Sequence, residues 1–256
     1  MSRTHGTKDF WLTALRVDGA ALRAAVATPG ALTNPVPSAP GWTVGELVRH
    51  LGSQYEWVRG HAGRGVTERP PELTVADSTP APDDPAVLGW FDDQLAQVDA
   101  FLDALDPDLA AWNWAPQAKT AAFWHRRMAH ETAIHRWDAQ TAVGLPEPIE
   151  AKLAGDTIAE VLDTWLPAGR RKSDGEHAGM IQLAATDLGQ EWYVRLRGPG
   201  VALLDTDTLL DDDAHPARAA AGGNASDLAL ALWGRVNFDV LELAGDDDLL
   251  EALRVG

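Results

Sequence analysis

"TVGELVRHLGSQYEWV", residues 43 to 58, reads as a helix from its first residue to its last. Thr43 stands where an N-cap belongs, and Glu46 follows three residues later to complete a capping box. Leu47, Leu51, Tyr55 and Val58 then recur at three-to-four spacing, which puts them on one face. An apolar stripe of this kind is stable only against partners, and the flanking sequence supplies three. Residues 8 to 27 carry Trp11, Leu15, Leu22 and Val26 at the same spacing. Val87, Phe91, Leu95, Val98, Leu102 and Leu105 mark a third helix, ended by "DPD" at 106 to 108. A fourth runs from about 120 to 143, closed by Gly144 in the C-cap place and Pro146 after it. Between them lie "NPVPSAP" at 34 to 40, which breaks the first helix because each proline fixes φ and removes a donor, and a long proline- and acid-rich loop at 66 to 85. Four helices of about 20 residues predict a bundle with two crossing connections.

After Pro148 the pattern changes. A helix at 150 to 165 and the basic loop "AGRRKSDGEHAG" lead to "MIQLAAT" and "EWYVRLR", two strand-like runs joined by "DLGQ" as a hairpin. Next come a helix in "NASDLALALWGRV", capped by Asn224 or Ser226, a strand in "FDVLELAG", and a short helix in "DDDLLEALRV". The expected fold class is α+β in two domains, a four-helix bundle over residues 1–148 and a smaller α+β domain over 149–256.

Composition excludes several roles. The chain is 45% hydrophobic and 23% charged, with no apolar run of the roughly 18 residues that a membrane span needs. Its start lacks the basic-then-apolar order of a signal peptide, which points to the cytoplasm. Acids outnumber bases 38 to 21, a net charge of −17, so the chain lacks the clustered Lys and Arg that phosphate binding requires. With no cysteine it can supply neither a thiolate nucleophile nor a thiolate ligand, and any metal must be held by His, Asp and Glu.

The chemistry-bearing cluster is "HETAIHRWDAQ", residues 130 to 140. It is not the zinc-protease H-E-x-x-H, since His130 and His135 are five apart, about 140° round a helix. Glu131, His135 and Asp138 do share a face, with offsets of about 40° and 20°, and Arg127 joins the stripe while His130 does not. Glu and His at i and i+4 give two metal ligands from one rigid element, and an acid one turn on can accept the second N–H of the histidine. His50, beside the Leu47/Leu51 stripe of the second helix, is the best-placed third ligand. His5, His61, His125, His130, His177 and His215 fit less well. Two His and one carboxylate leave a divalent ion such as Zn²⁺ an open position, the catalytic arrangement. The competing reading is a solvated polar face with an Arg127–Glu131 ion pair.

"PGWTVGELVRHLGSQYEWV" and "FWHRRMAHETAIHRWDAQTAVG" resemble the mycothiol-dependent maleylpyruvate isomerase family of actinobacteria, and the tail "GGNASDLALALWGRVNFDVLELAGDDDLLEAL" resembles its C-terminal domain. The resemblance implies a DinB-like bundle and a sterol-carrier-like α+β domain. It implies His50, Glu131 and His135 as metal ligands, Asp138 as the acid beside His135, and Arg235 of "LWGR" as the group that binds an anionic part of the substrate. Trp112, Trp114 and Trp124, near the loop before the fourth helix, are core residues or the lining of a pocket.

The expected partners are therefore mycothiol and a small-molecule electrophile, with no nucleic acid and no membrane. A thiol held at an open zinc position ionises below its free pKa of about 8.5 and can attack an electrophilic carbon, giving either cis–trans isomerisation or transfer of the thiol. Two other classes remain: a hydrolase using zinc-bound water, and a small-ligand binding protein with a vestigial metal site.

Overall fold

The computed structural model describes residues 6–72, 74, 79–169, 177–198, 200–204 and 218–255. They group into two compact units, Met1–Asn113 with Ala118–Glu147, and Trp114–Gln117 with Pro148–Gly256. Among the described residues no helix is long and apolar enough to cross a membrane.

The first unit is a four-helix bundle of α1 (Lys8–Val26), α2 (Val44–His61), α3 (Ala86–Ala104) and α4 (Ala122–Ala142). Helix α1 packs on α4 and α3, and α2 packs on α3 and α4, so the four surround one core. Leu15, Leu22, Leu47, Leu51, Tyr55, Phe91, Leu102 and Ile134 fill it, all completely buried. The capping box is present: the Thr43 side chain accepts from the Glu46 backbone N–H at 3.3 Å, and Glu46 Oε2 accepts from the Thr43 N–H at 2.6 Å. Gly144, at φ 78°, ends α4 in the left-handed conformation that only glycine enters without strain.

Described residues of both long connections meet the bundle. From α1 to α2 the chain makes a closed turn, with an antiparallel bridge between Pro35 and Thr43. Val36 N–H donates to Trp42 O and Val44 N–H to Asn34 O, each at 2.9 Å. The connection from α2 to α3 presses its Pro82 carbonyl onto the first turn of α2, where a Cβ on Gly45 would stand 1.8 Å from the oxygen. Glycine is thus the residue that lets this approach occur.

Helix α4 departs from the amphipathic expectation. It is buried almost all round, and Arg126, Arg127, His130, His135, Arg136, Asp138 and Gln140 are among its buried residues. A solvated polar face is therefore ruled out for these positions. The polar groups of Arg127, His135, Arg136, Asp138 and Gln140 are bonded inside the unit. Arg136 Nε donates to Asp18 Oδ1 of α1 at 2.9 Å, and its Nη1 donates to Gln140 Oε1 at 2.7 Å and to the Glu147 carbonyl at 2.6 Å. Tyr55 of α2 meets the Thr132 hydroxyl at 2.6 Å, while Thr132 donates to the Met128 carbonyl at 2.7 Å.

The second unit holds α5 (Ala151–Glu160), α6 (Ala225–Leu232), α7 (Asp247–Glu251) and one five-stranded sheet. Its strands are β1 (Ala178–Ala185), β2 (Gln190–Arg197), β3 (Gly200–Leu204), β4 (Arg218–Gly223) and β5 (Glu242–Gly245), in the order β3-β2-β1-β4-β5. Only β1 and β4 pair in parallel. The register sets Ile181 opposite Val194 and Ala219, and Leu183 opposite Trp192 and Ala221. These form one buried face, which α6 and α7 cover. Within this unit Gln117 Nε2 reaches back to Asp163 Oδ1 at 3.1 Å and Thr164 Oγ1 at 2.9 Å, and the Trp114 ring meets Trp165.

The hairpin is present as β1 and β2, and Asn224 is the cap of α6, accepting from the Asp227 N–H at 2.9 Å. Two expectations change, and two strands were not foreseen. The helix expected to residue 165 is α-helical only to Glu160 and continues as a π turn, Val161–Trp165. The strand expected over residues 238 to 245 begins with a 3₁₀ turn at Phe238–Val240, and only Glu242–Gly245 is strand. Phe238 and Leu241 are both buried, and a 3₁₀ turn puts i and i+3 on the same side whereas a strand would oppose them. Strands β3 and β4 carry no strong strand signal, and β4, "RAAAGG", gains its conformation by pairing on both sides. His5, His215 and most of the basic loop after Trp165 lie outside the described residues.

Thr43→Ala is expected to lower the unfolding free energy by about 1 kcal/mol through loss of the cap. Asp18→Ala should cost about 3–5 kcal/mol because it leaves the Arg136 guanidinium buried without that partner. Urea denaturation of the two variants checks both the size and the order.

Candidate metal centre

His50 sits midway along α2, and Glu131 and His135 sit one turn apart on α4. The neighbouring α2 and α4 bring the three side chains together, with one possible ligand atom from each lying within 4.8 Å of the others. Glu131 Oε1 is 3.4 Å from His50 Nε2 and 3.3 Å from His135 Nε2. A tetrahedral ion with bonds of about 2.0–2.2 Å needs its ligand atoms about 3.3–3.5 Å apart, so both measured edges fit such an ion. Two imidazoles and a carboxylate are also the donor set that Zn²⁺ takes in open, three-ligand sites.

The surroundings hold these ligands in place. Asp138, fully buried, has Oδ2 at 2.9 Å from His135 Nδ1, which directs that imidazole's other nitrogen toward Glu131. Arg127, also buried, donates Nη2 to the second carboxylate oxygen, Glu131 Oε2. Two residues outside both helices touch the same cluster, and both lie in the turn between α1 and α2. The Ser38 hydroxyl donates to Asp138 Oδ1 at 2.5 Å, and the Trp42 ring lies 5.0 Å from the His50 ring at 61°. His135 is buried, whereas the His50 side chain keeps 29% of its surface exposed, so solvent reaches the cluster at His50.

The charges are strongly perturbed. Burial pushes the Glu131 carboxyl up, but Arg127 and the imidazoles of His135 and His50 outweigh it and hold the group well below the usual carboxylate range. Burial disfavours a charged His135, yet its hydrogen bonds to Asp138 and Glu131 dominate and its pKa is pushed up to about 9.

A family profile described as mycothiol maleylpyruvate isomerase N-terminal domain matches residues 12–140, half of the chain. The chain belongs to this family. Among solved structures, a mycothiol-dependent maleylpyruvate isomerase shares 16% identity with it at a TM-score of 0.62, over 94% of this chain and 96% of that one. A histidine-to-alanine mutant described by the same words matches at 15% identity and a TM-score of 0.61 over the same shares. At such identities the likeness establishes the shared α+β fold. No curated protein matches.

The matched family segment contains His50, Glu131, His135 and Asp138; Arg235 lies beyond it. Arg235 belongs to the second unit, follows α6, and is partly buried there. Its Nη1 donates to the Trp233 carbonyl at 2.9 Å, and the guanidinium lies 5.9 Å from the centre of the Trp233 ring. The three tryptophans near the α4 entry divide between the two units. Trp112 and Trp124 pack with Trp57 and His61 in the first unit, while Trp114 belongs to the second. His125 is a core residue whose two ring nitrogens lie 2.9 Å and 2.8 Å from the carbonyls of Ala121 and Leu102. Ser38 had no signal in the sequence beyond the proline-rich break that contains it, whereas Trp42 stands just after that break, in the segment that carried the family resemblance.

Without a metal ion, the raised His135 pKa makes its imidazolium a stabilising charge. The contribution is complete below the ordinary value of 6.5 and is lost as pH rises through about 9. Glu131 acts in the opposite sense, stabilising above its ordinary carboxyl range and losing its contribution as pH falls through the depressed value. In the presence of chelator, the gap in unfolding free energy between the protein and His135→Gln is expected to be widest near about pH 6 and to shrink by about pH 9.5. Urea denaturation at the two pH values measures it, and a constant gap would mean that His135 is not charged.

Proposed function

We propose that the chain is a zinc-dependent enzyme that uses mycothiol against a small electrophilic substrate, as a maleylpyruvate-type cis–trans isomerase or a thiol transferase. The observation that carries this reading is a three-ligand His, Glu, His cluster inside a domain of the mycothiol maleylpyruvate isomerase family. The chain has no cysteine, so a sulfur nucleophile must come from outside it. Cytoplasmic mycothiol would serve.

In this reading His50, Glu131 and His135 hold the ion. Asp138 keeps the His135 ring in one orientation, and Arg127 holds the carboxylate oxygen of Glu131 that faces away from the imidazoles. A divalent ion there supplies positive charge that lowers the pKa of a neighbouring thiol from about 8.5 toward neutrality. The exposed side of His50 is where thiol and substrate enter. The thiolate adds to one carbon of the activated double bond as the π electron pair moves onto the conjugated carbonyl oxygen. Rotation about the resulting single bond and expulsion of the thiolate return the double bond in the other geometry. Where the adduct is instead protonated and released, the outcome is thiol transfer. Arg235 is assigned the anionic group of the substrate, a role that suits a permanently charged, planar donor.

The purified protein is expected to hold about one zinc per chain, and His50→Ala and His135→Ala should lose it while remaining folded. Turnover of maleylpyruvate with mycothiol should fall by about 10³-fold in either variant. Metal content by mass spectrometry and a mycothiol-dependent assay test this together. A wild-type protein that takes up no zinc would overturn the reading, and turnover without added thiol would point to the hydrolase.

A further inference from the structure

The turn between α1 and α2 does more than interrupt a helix. Its side chains meet residues of both ligand-bearing helices at the cluster. At its tip the Ser38 hydroxyl donates to Asp138 Oδ1 at 2.5 Å, and at its end the Trp42 ring meets His50 at 5.0 Å. We propose that this turn is a clamp for the metal ligands and that Ser38 is a positioning residue, acting through Asp138 on His135. The inference rests on the metal reading of the cluster.

The geometry explains how a residue outside the ligand set would matter. Asp138 lies three positions after His135 on α4 and is fully buried. Its Oδ2 is 2.9 Å from His135 Nδ1, and Ser38 holds Oδ1. Hydrogen bonds on both oxygens hold the plane of the carboxylate about its last torsion. The orientation of the His135 ring follows that plane. Its Nε2 is thereby kept 3.3 Å from Glu131 Oε1, the separation that the fit to a tetrahedral ion requires.

The turn is built to hold such a position. Pro35, Pro37 and Pro40 each fix a backbone angle within it. Backbone bonds from Ala39 N–H to Val36 O at 3.1 Å and from Trp42 N–H to Ala39 O at 3.0 Å close it internally, inside the Pro35–Thr43 bridge. Asn34 ties its base to α4 by donating Nδ2 to the Ala142 carbonyl at 3.1 Å. Val36, buried at 2% exposure, anchors it in the core. Ser38 is consequently carried by a rigid support, and its hydroxyl costs little further entropy to place. Trp42 extends the same support to the other helix by packing its ring against the partly exposed His50.

The test compares the intact protein with Ser38→Ala, Ser38→Thr, Asp138→Asn and the double variant Ser38→Ala/Asp138→Asn. Zinc affinity is measured by competition with a chromophoric chelator, the absorption bands of the Co²⁺-loaded proteins report ligand geometry, and the melting point of each metal-free protein reports folding. Ser38→Ala is expected to weaken zinc binding about 10-fold and to shift the cobalt bands, with Ser38→Thr restoring both. In the Asp138→Asn background the Ser38→Ala change should have no further effect on affinity, because Ser38 acts only through Asp138. Zinc affinity and cobalt bands unchanged in Ser38→Ala would overturn the assignment. So would a loss of equal size in the Asp138→Asn background, or a loss that tracks the metal-free melting point and is not rescued by threonine. If the unsubstituted protein takes up no zinc, the metal reading itself fails; if it takes up zinc and Ser38→Ala binds as tightly, only the role of Ser38 does.

Discussion

A carboxylate placed inside a helix bundle loses its hydration, a cost of several kcal/mol that only nearby positive charge and hydrogen-bond donors offset. Glu131 meets that requirement within its own helix and the adjoining one. Arg127 takes one oxygen from the preceding turn, His135 approaches the other from the following turn, and His50 approaches it from α2. The charge that makes Glu131 costly to bury is what draws the other three side chains to it. In the metal reading proposed above the same carboxylate would be a ligand, so that one arrangement would serve both folding and chemistry.

Much of the first unit follows from making room for that group. Helix α4 is not a surface helix with an apolar stripe but the polar interior of the bundle, and its neighbours are tied to it by directed bonds. Arg136 bonds Asp18 of α1, and Thr132 bonds Tyr55 of α2. Apolar packing tolerates small slips between helices, whereas an ion pair and a hydroxyl pair in a buried setting do not, because each slip would leave a polar group unpaired. The Thr132–Tyr55 pin sets the height of α2 against α4, and therefore the distance from His50 to Glu131.

Local signals carried the sequence reading far where they were strong. The Thr43 and Glu46 capping box, the three-to-four stripes of α1 to α3, the left-handed Gly144 and the alternation in β1 and β2 each depend on residues a few positions apart, and each is present in the fold. The misses are of another kind. Strand β4 is alanine and glycine, extended because β1 and β5 pair with it, and the turn at Phe238 exists because two residues three apart must both face inward. For α4, helical spacing correctly grouped Glu131, His135 and Asp138, yet the same spacing is compatible with a solvated face; only burial separates the two.

By itself the sequence determined the four helices and their ends, the hairpin, the absence of any thiol in the chain, and the shared face of Glu131, His135 and Asp138, because all of these are properties of composition or of a single helical repeat. Only the tertiary structure decided that His50 meets that face, that the polar side of α4 is buried, and that Ser38 and Trp42 of a proline-rich turn reach the cluster. The contacts of His50 with Glu131 and of Ser38 with Asp138 join residues 81 and 100 positions apart, and no local pattern encodes a distance that depends on how separate helices stack.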